Sequence, residues 1–227
     1  MVKSHISGGE PQYDYLWGDD RADDPVNLGV MSSETWRKDP KRLGFVLARY
    51  KFVSKMLRGK QTVLEVGCGD GWASAIVRKE VQELHLSDFD PRFVRAAIAN
   101  GHSENLVHLH DFTKLAMSGR KFDGIYLLDV FEHISSSNEN DLLTNLKLSL
   151  NLNGVLIIGA PTAESQAYIP VEKRDAGHVN CKNGEVFHAL LSDHFHNVFL
   201  FSMNDEVVQT SPSHLAFYNL LVCTSPK

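Results

Sequence analysis

The sequence predicts an α/β fold: a mostly parallel sheet with helices on both faces. Three observations carry this. From residue 62 onward, short apolar runs alternate with stretches of helical periodicity, the order that a parallel sheet with crossover helices produces. The first apolar run, Thr62 to Val66, flows directly into a glycine-rich turn. Two strand-like runs close the chain with no long helix between them, which suits an antiparallel hairpin at one edge.

Residues 1–40 are rich in Asp, Gly, Ser and Pro, broken by Tyr13, Tyr15, Trp17 and Trp36. They show no clean period and read as an N-terminal arm whose aromatics suit a segment that folds over something bound. Residues 41–227 form the expected domain. Leu43, Val46, Leu47, Tyr50, Val53 and Leu57 recur at helical spacing and make one apolar face, and Gly59 is placed to end that helix. Further strands are predicted at 83–87, 105–110, 122–128, 154–160, 196–202 and 214–223. Helices are predicted at 71–80, 91–100, 138–151 and 183–193, with Leu142, Leu143, Leu146 and Leu150 as the inward stripe of the third.

The 227 residues suffice for one sizeable core, and 43% hydrophobic with 22% charged content is ordinary for a globular chain. The net charge of −5 and the lack of any basic block beyond Arg37, Lys38, Lys41 and Arg42 argue against a nucleic-acid partner. Cys68, Cys181 and Cys223 are odd in number and far apart, which fits a reducing compartment without a cysteine zinc site. The polar first residues lack an apolar signal core, and the longest strongly apolar stretch, 154–160, is far too short to cross a bilayer. A cytoplasmic protein without a membrane partner is expected.

The most informative stretch runs Glu65-Val-Gly67-Cys68-Gly69-Asp-Gly71-Trp72. Glycines at a strand-to-helix turn let backbone approach a ligand where a Cβ would clash. A dinucleotide fingerprint needs glycine at position 72, which holds Trp72 instead. With no pyrophosphate to cradle, a carboxylate at Glu65 is not repelled and can meet an ammonium group. Asp88, followed by Phe89, ends the second strand, where a carboxylate can accept both hydroxyls of a ribose. Asp90 is the other candidate, although Asp90-Pro91 reads more naturally as a helix cap and first helical residue. Asp111, followed by Phe112, ends the third strand and can accept from an adenine amine. Any one Asp after a strand is commonly a cap; three at consecutive strand ends are not.

Residues 65–71 resemble motif I of class I S-adenosylmethionine-dependent methyltransferases. The segments 87–91, 110–112 and 122–134 are similar to that family's second-strand, adenine and fourth-strand motifs. The resemblance covers residues 41–227 and implies a Rossmann-like sheet of seven strands, ordered 3-2-1-4-5-7-6 with strand 7 antiparallel. It also implies S-adenosylmethionine as cofactor. Glu65 would lie near the methionine end, with Gly67, Cys68, Gly69, Gly71 and Trp72 forming the loop. Asp88 and Phe89 would hold the ribose, Asp111 and Phe112 would frame adenine, and Asp129 would border the donor.

After the fourth strand, Asp129, Glu132 and His133 gather at the carboxyl edge of the sheet, and His178 precedes a later helix. Two carboxylates and two imidazoles make a divalent-metal set, such as for magnesium. They also make a catalytic group, His178 being suited to general-base work near neutral pH. The arrangement is similar to the E-x-x-E-H plus later histidine of metal-assisted O-methyltransferases acting in ubiquinone biosynthesis or on small RNAs. Asp129 departs from it, standing where those have Glu. Glu132-His133 and His178 read equally as loop anchors. O-methylation of a small molecule or saccharide is expected. N-methylation is the alternative, and an RNA acceptor a more distant one that the charge balance opposes. Nothing in the sequence encodes the acceptor's identity or the oligomeric state.

Overall fold

In the computed structural model, residues 10–12 and 26–227 are described. Tyr13, Tyr15 and Trp17 of the expected arm lie outside them. The helices are α1 (Gly29–Lys38), α2 (Lys41–Met56), α3 (Ala75–Arg78), α4 (Pro91–Ala99), α5 (Glu139–Ser149), α6 (Ala163–Ala167) and α7 (Gly184–His194). The strands are β1 (Thr62–Val66), β2 (Glu83–Asp88), β3 (Val107–Leu109), β4 (Phe122–Leu128), β5 (Leu150–Pro161), β6 (Phe195–Asn204), β7 (Val207–Gln209) and β8 (Tyr218–Pro226).

These strands form one sheet in the order β3-β2-β1-β4-β5-β8-β6-β7. β1 to β5 pair in parallel, and β8 runs antiparallel between β5 and β6. The expected order is present, with β8 as its antiparallel strand. The closing runs do pair as antiparallel strands, though β8 is inserted inside the sheet. One strand is additional: β7 pairs antiparallel with β6 beyond a turn in which Asp205 has φ 50°. Three residues are too few to write a periodic signal, so β7 is invisible in the sequence.

The parallel strands sit between two apolar layers. Alternate residues of β4 point to opposite sides, Ile125 and Leu127 into one cluster and Tyr126 and Leu128 into the other. Leu142, Leu143 and Leu146 of α5, with Phe187 and Leu191 of α7, close the first side. Val53 of α2, Leu57 just beyond it and Val77 of α3 close the second. Being covered on both faces is why β1 and β4 read as near-continuous apolar runs.

Three helices differ from expectation: α6 is an added short helix of five residues, and α3 and α1 depart as follows. α3 begins only at Ala75 because the glycine turn extends to residue 74, with the Asp70 carboxylate accepting from the Trp72 N–H at 3.1 Å. α1 forms where no period is legible because it contains no buried residue. It docks through its N-terminus, where the Met31 N–H donates to Asp70 Oδ2 at 2.8 Å.

Leu127 is fully buried in the central strand. Leu127→Ala is expected to lower the unfolding free energy by about 2–5 kcal/mol, through lost transfer energy and the cavity left behind. Chemical denaturation with an unchanged m-value is the check.

Candidate active site

A cavity of about 520 Å³ opens at the carboxyl edge of β1, β2 and β4. Its floor is the glycine turn. Gly67, Gly69 and Gly71 all have positive φ, between 54° and 72°. A Cβ on Gly67 would stand 2.3 Å from Val130 Cγ2, and one on Gly69 would stand 2.6 Å from the Met31 sulfur. The loop is therefore packed from below by the β4 turn and from above by α1, and only glycine fits. Met31 is a cavity residue that the sequence did not disclose.

Asp88, Phe89, Asp111, Phe112, Asp129 and His133 join Gly67 and Gly69 in the lining. Asp88 Oδ2 accepts from the Gly69 N–H at 3.0 Å and Oδ1 from the Asp90 N–H at 2.9 Å, so the acid is locked to the loop it faces. Burial pushes its pKa up. Asp90 caps α4, accepting from the Arg92 N–H at 2.8 Å, which leaves Asp88 as the acid at the cavity. Asp111 Oδ1 accepts from the Thr113 N–H and hydroxyl, and Lys114 lies 2.9 Å from Oδ2. Burial raises its pKa, but these hydrogen bonds outweigh that and hold it below the ordinary value.

Glu65, Cys68, Gly71 and Trp72 do not line the cavity. Cys68 packs into a small cluster with Leu86, Ala97 and Val107, and Gly71 lies against His102. Glu65 is 1% exposed beneath the loop. Its carboxylate accepts from Tyr50 of α2 at 2.6 Å, from Tyr126 of β4 at 2.7 Å, and from the Ser74 hydroxyl. Burial raises its pKa to about 7 against the opposing hydrogen bonds. Tyr50 was legible only as a member of an apolar stripe; its hydroxyl carries the contact.

Beyond β4 a 3-10 turn, Phe131–His133, presents Glu132 and His133. The Glu132 backbone oxygen accepts from the N–H groups of Val179 and Asn180, both at 2.9 Å, which returns the 177–180 loop to this place. Glu132, His133 and His178 thereby gather, with ligand atoms all within 4.8 Å of one another. Both Glu132 carboxylate oxygens are buried without a partner among the described residues. Burial, then the nearby Asp129 charge, raises the Glu132 pKa to about 8. His178 is lowered, by burial and then by His133. Asp129 stands outside this group because Arg49 of α2 takes its carboxylate. His133 belongs to both the cavity lining and the cluster, and so joins them.

The profile of a methyltransferase domain matches residues 35–203. The chain belongs to this methyltransferase family. Its cofactor is S-adenosylmethionine, and the bared backbone at Gly67 and Gly69 beside Asp88 fits a nucleoside donor. No curated protein sequence matches the chain. Among solved structures it is similar to a chain of the complex between the Haloferax volcanii Trm112 methyltransferase activator and a methyltransferase. That likeness has a TM-score of 0.66 at 14% identity, over 90% of this chain and 100% of that one. The plantazolicin methyltransferase BpumL in complex with S-adenosylhomocysteine gives 0.64 at 13%, over 86% and 89%. The N-methyltransferase NodS of Bradyrhizobium japonicum gives 0.58 at 19%, over 85% and 92%. At these identities the likeness shows the fold.

Two outcomes test this methyltransferase site. Gly67→Ala adds a Cβ in a left-handed conformation against Val130 and is expected to weaken S-adenosylhomocysteine binding about tenfold or more, read by calorimetry. Glu65 titrates at about 7 when folded and at 4.5 when exposed, so the folded state holds more protons between those values. Stability from the protonated acid is complete below pH 4.5 and is lost as pH rises through 7. Relative to Glu65→Gln, the wild-type protein is expected to lose roughly 2–4 kcal/mol between pH 4.5 and 8. Equal denaturation profiles across that window would contradict it.

Proposed function

We propose that this methyltransferase transfers the methyl group to a hydroxyl of a small molecule or saccharide, in the manner of the ubiquinone-type O-methyltransferases. Glu132, His133 and His178 serve as the acceptor-activating group. One observation carries the reading: the Glu132 carboxylate is buried, with no partner among the described residues, within 4.8 Å of two imidazoles and beside the donor cavity. A hydroxyl must lose its proton as it attacks, whereas a neutral amine already has a free lone pair, and this cluster provides for the harder case.

Bound donor supplies an electrophilic sulfonium methyl. Gly67, Gly69, Asp88, Phe89, Asp111 and Phe112 hold it in place, and Met31 of α1 covers it. Helix α1, a described part of the expected arm of residues 1–40, acts as a lid over the domain of residues 41–227. Asp129 shapes the donor wall. His178 takes the acceptor proton; its Nδ1 lies 3.1 Å from Gln166 Oε1, which leaves Nε2 with the lone pair. His133 Nδ1 faces the Gly177 carbonyl at 2.9 Å, with the same consequence.

In the alternative, Glu132, His133 and His178 would hold a divalent cation without Asp129, His178 then serving as a ligand in place of the base; one carboxylate and two imidazoles suit a transition-metal ion better than magnesium, which prefers oxygen ligands. Such an ion would lower the proton affinity of the hydroxyl. Tyr168, two residues beyond Gln166, is 81% exposed, and its ring lies 6.5 Å from that of Phe217, a platform on which a sugar face can stack. No helix among the described residues is long and apolar enough to cross a membrane, and the proposed setting is the cytoplasm.

The test is a product screen with labelled donor over hydroxyl, saccharide, amine and RNA acceptors, with and without chelator. His178→Ala is expected to lower kcat about 100-fold or more while leaving S-adenosylhomocysteine affinity unchanged. Methylation of amines or RNA alone would overturn O-transfer, and turnover indifferent to chelator would remove the metal.

A further inference from the structure

Where β4 ends, the chain turns through Asp129 with φ 56°, the left-handed region that a residue with a Cβ resists. That turn forms the wall of the donor cavity, because it sets Val130 into the space left open by Gly67. It also leads directly into the 3-10 turn bearing Glu132 and His133. Something must hold Asp129 in this conformation.

The holder is Arg49, 80 residues earlier on α2. Its Nη1 donates to both Asp129 oxygens, at 2.8 and 2.6 Å. Its guanidinium carbon lies over the Tyr218 ring, 3.7 Å from the centroid. The Tyr218 hydroxyl in turn accepts from the Asp129 N–H at 3.3 Å, while that N–H also reaches the Gly159 carbonyl at 3.0 Å. Side chain and backbone of one residue are thus gripped from both sides, by a cation that is itself stacked. The Arg49 side chain is only 17% exposed and the Asp129 side chain 41%, so the arginine is held in place by packing while the acid meets solvent on the cavity side.

We infer that Arg49 is a positioning residue for donor binding: it clamps Asp129 in its left-handed turn and so sets the Val130 wall against Gly67. The inference rests on the cavity being the donor site. It requires that Arg49 act through the turn and not through contact with the donor, and that separates it from a general stabilising role.

The experiment compares Arg49→Ala, Arg49→Lys, Asp129→Gly and the double variant Arg49→Ala/Asp129→Gly, by calorimetry with S-adenosylhomocysteine well below each melting temperature. Arg49→Ala is expected to weaken binding about tenfold, in line with the strain of an unsupported non-glycine left-handed residue. Arg49→Lys, which keeps the charge but not the guanidinium's place over the Tyr218 ring, should fall between. Glycine adopts the turn unaided, so the double variant should bind within about threefold of Asp129→Gly alone. If Arg49→Ala does not fold, the lysine and double variants still decide. Unchanged affinity in Arg49→Ala or Arg49→Lys, or a double variant tenfold weaker than Asp129→Gly, would overturn the inference. Wild-type protein that binds no S-adenosylhomocysteine would instead remove the cavity assignment beneath it.

Discussion

A carboxylate buried at the end of the first strand organises this molecule. Glu65 cannot stay dry without donors, since an unsatisfied acid costs far more than the packing it displaces. Its three hydroxyl partners come from α2, from the loop after the glycines and from β4. Satisfying one side chain therefore fixes three separate segments at the edge where the donor binds. Tyr50 and Arg49 are neighbours on α2, and they reach Glu65 near the end of β1 and Asp129 just after β4 respectively. One turn of helix straps both strand ends.

The same edge shows how environment divides acids of similar kind. Asp129 and Glu132 stand three residues apart, yet one is bound twice by a guanidinium and the other meets no partner among the described residues. Arg49 makes that division. By taking up the nearer acid it leaves Glu132 as the carboxylate able to work with His133 and His178. Burial then favours the protonated form of Glu132 until a cation or a basic group offers compensation.

Much of this was readable from the chain alone, and the rest was hidden for identifiable reasons. Buried strands such as Thr62–Val66 and Phe122–Leu128 advertise themselves through mostly apolar runs, interrupted by Glu65 in one and by Asp123 in the other. Asp88 and Asp111 stood out because acids recur where strands end. α1 left no trace because nothing on it is buried, and β7 none because it is three residues long. Glu65 was legible as an acid by the loop, but not as one enclosed by hydroxyls, because its partners are 9 to 61 residues away in sequence. Arg49 carried no signal either: within a helix an arginine looks like any exposed cation until its partner, Asp129, is folded against it.

In the proposed reading, donor and acceptor machinery are built from different material. The donor cavity uses the ends of β1, β2 and β4, elements tied into the core from both faces, so its geometry has little freedom. The acceptor side beyond His178 is made by α6 and the 3-10 turn Val171–Lys173, which contribute few buried residues and stand on exposed side chains such as Tyr168 and Val171. His133 is the shared point, fixed by the β4 turn and held to Gly177. A change in the 161–179 segment can therefore alter which molecule is presented without moving the methyl donor. On that division the donor motifs are written plainly in the sequence, whereas the proposed acceptor contacts are exposed rings such as Tyr168 that carry no pattern of their own.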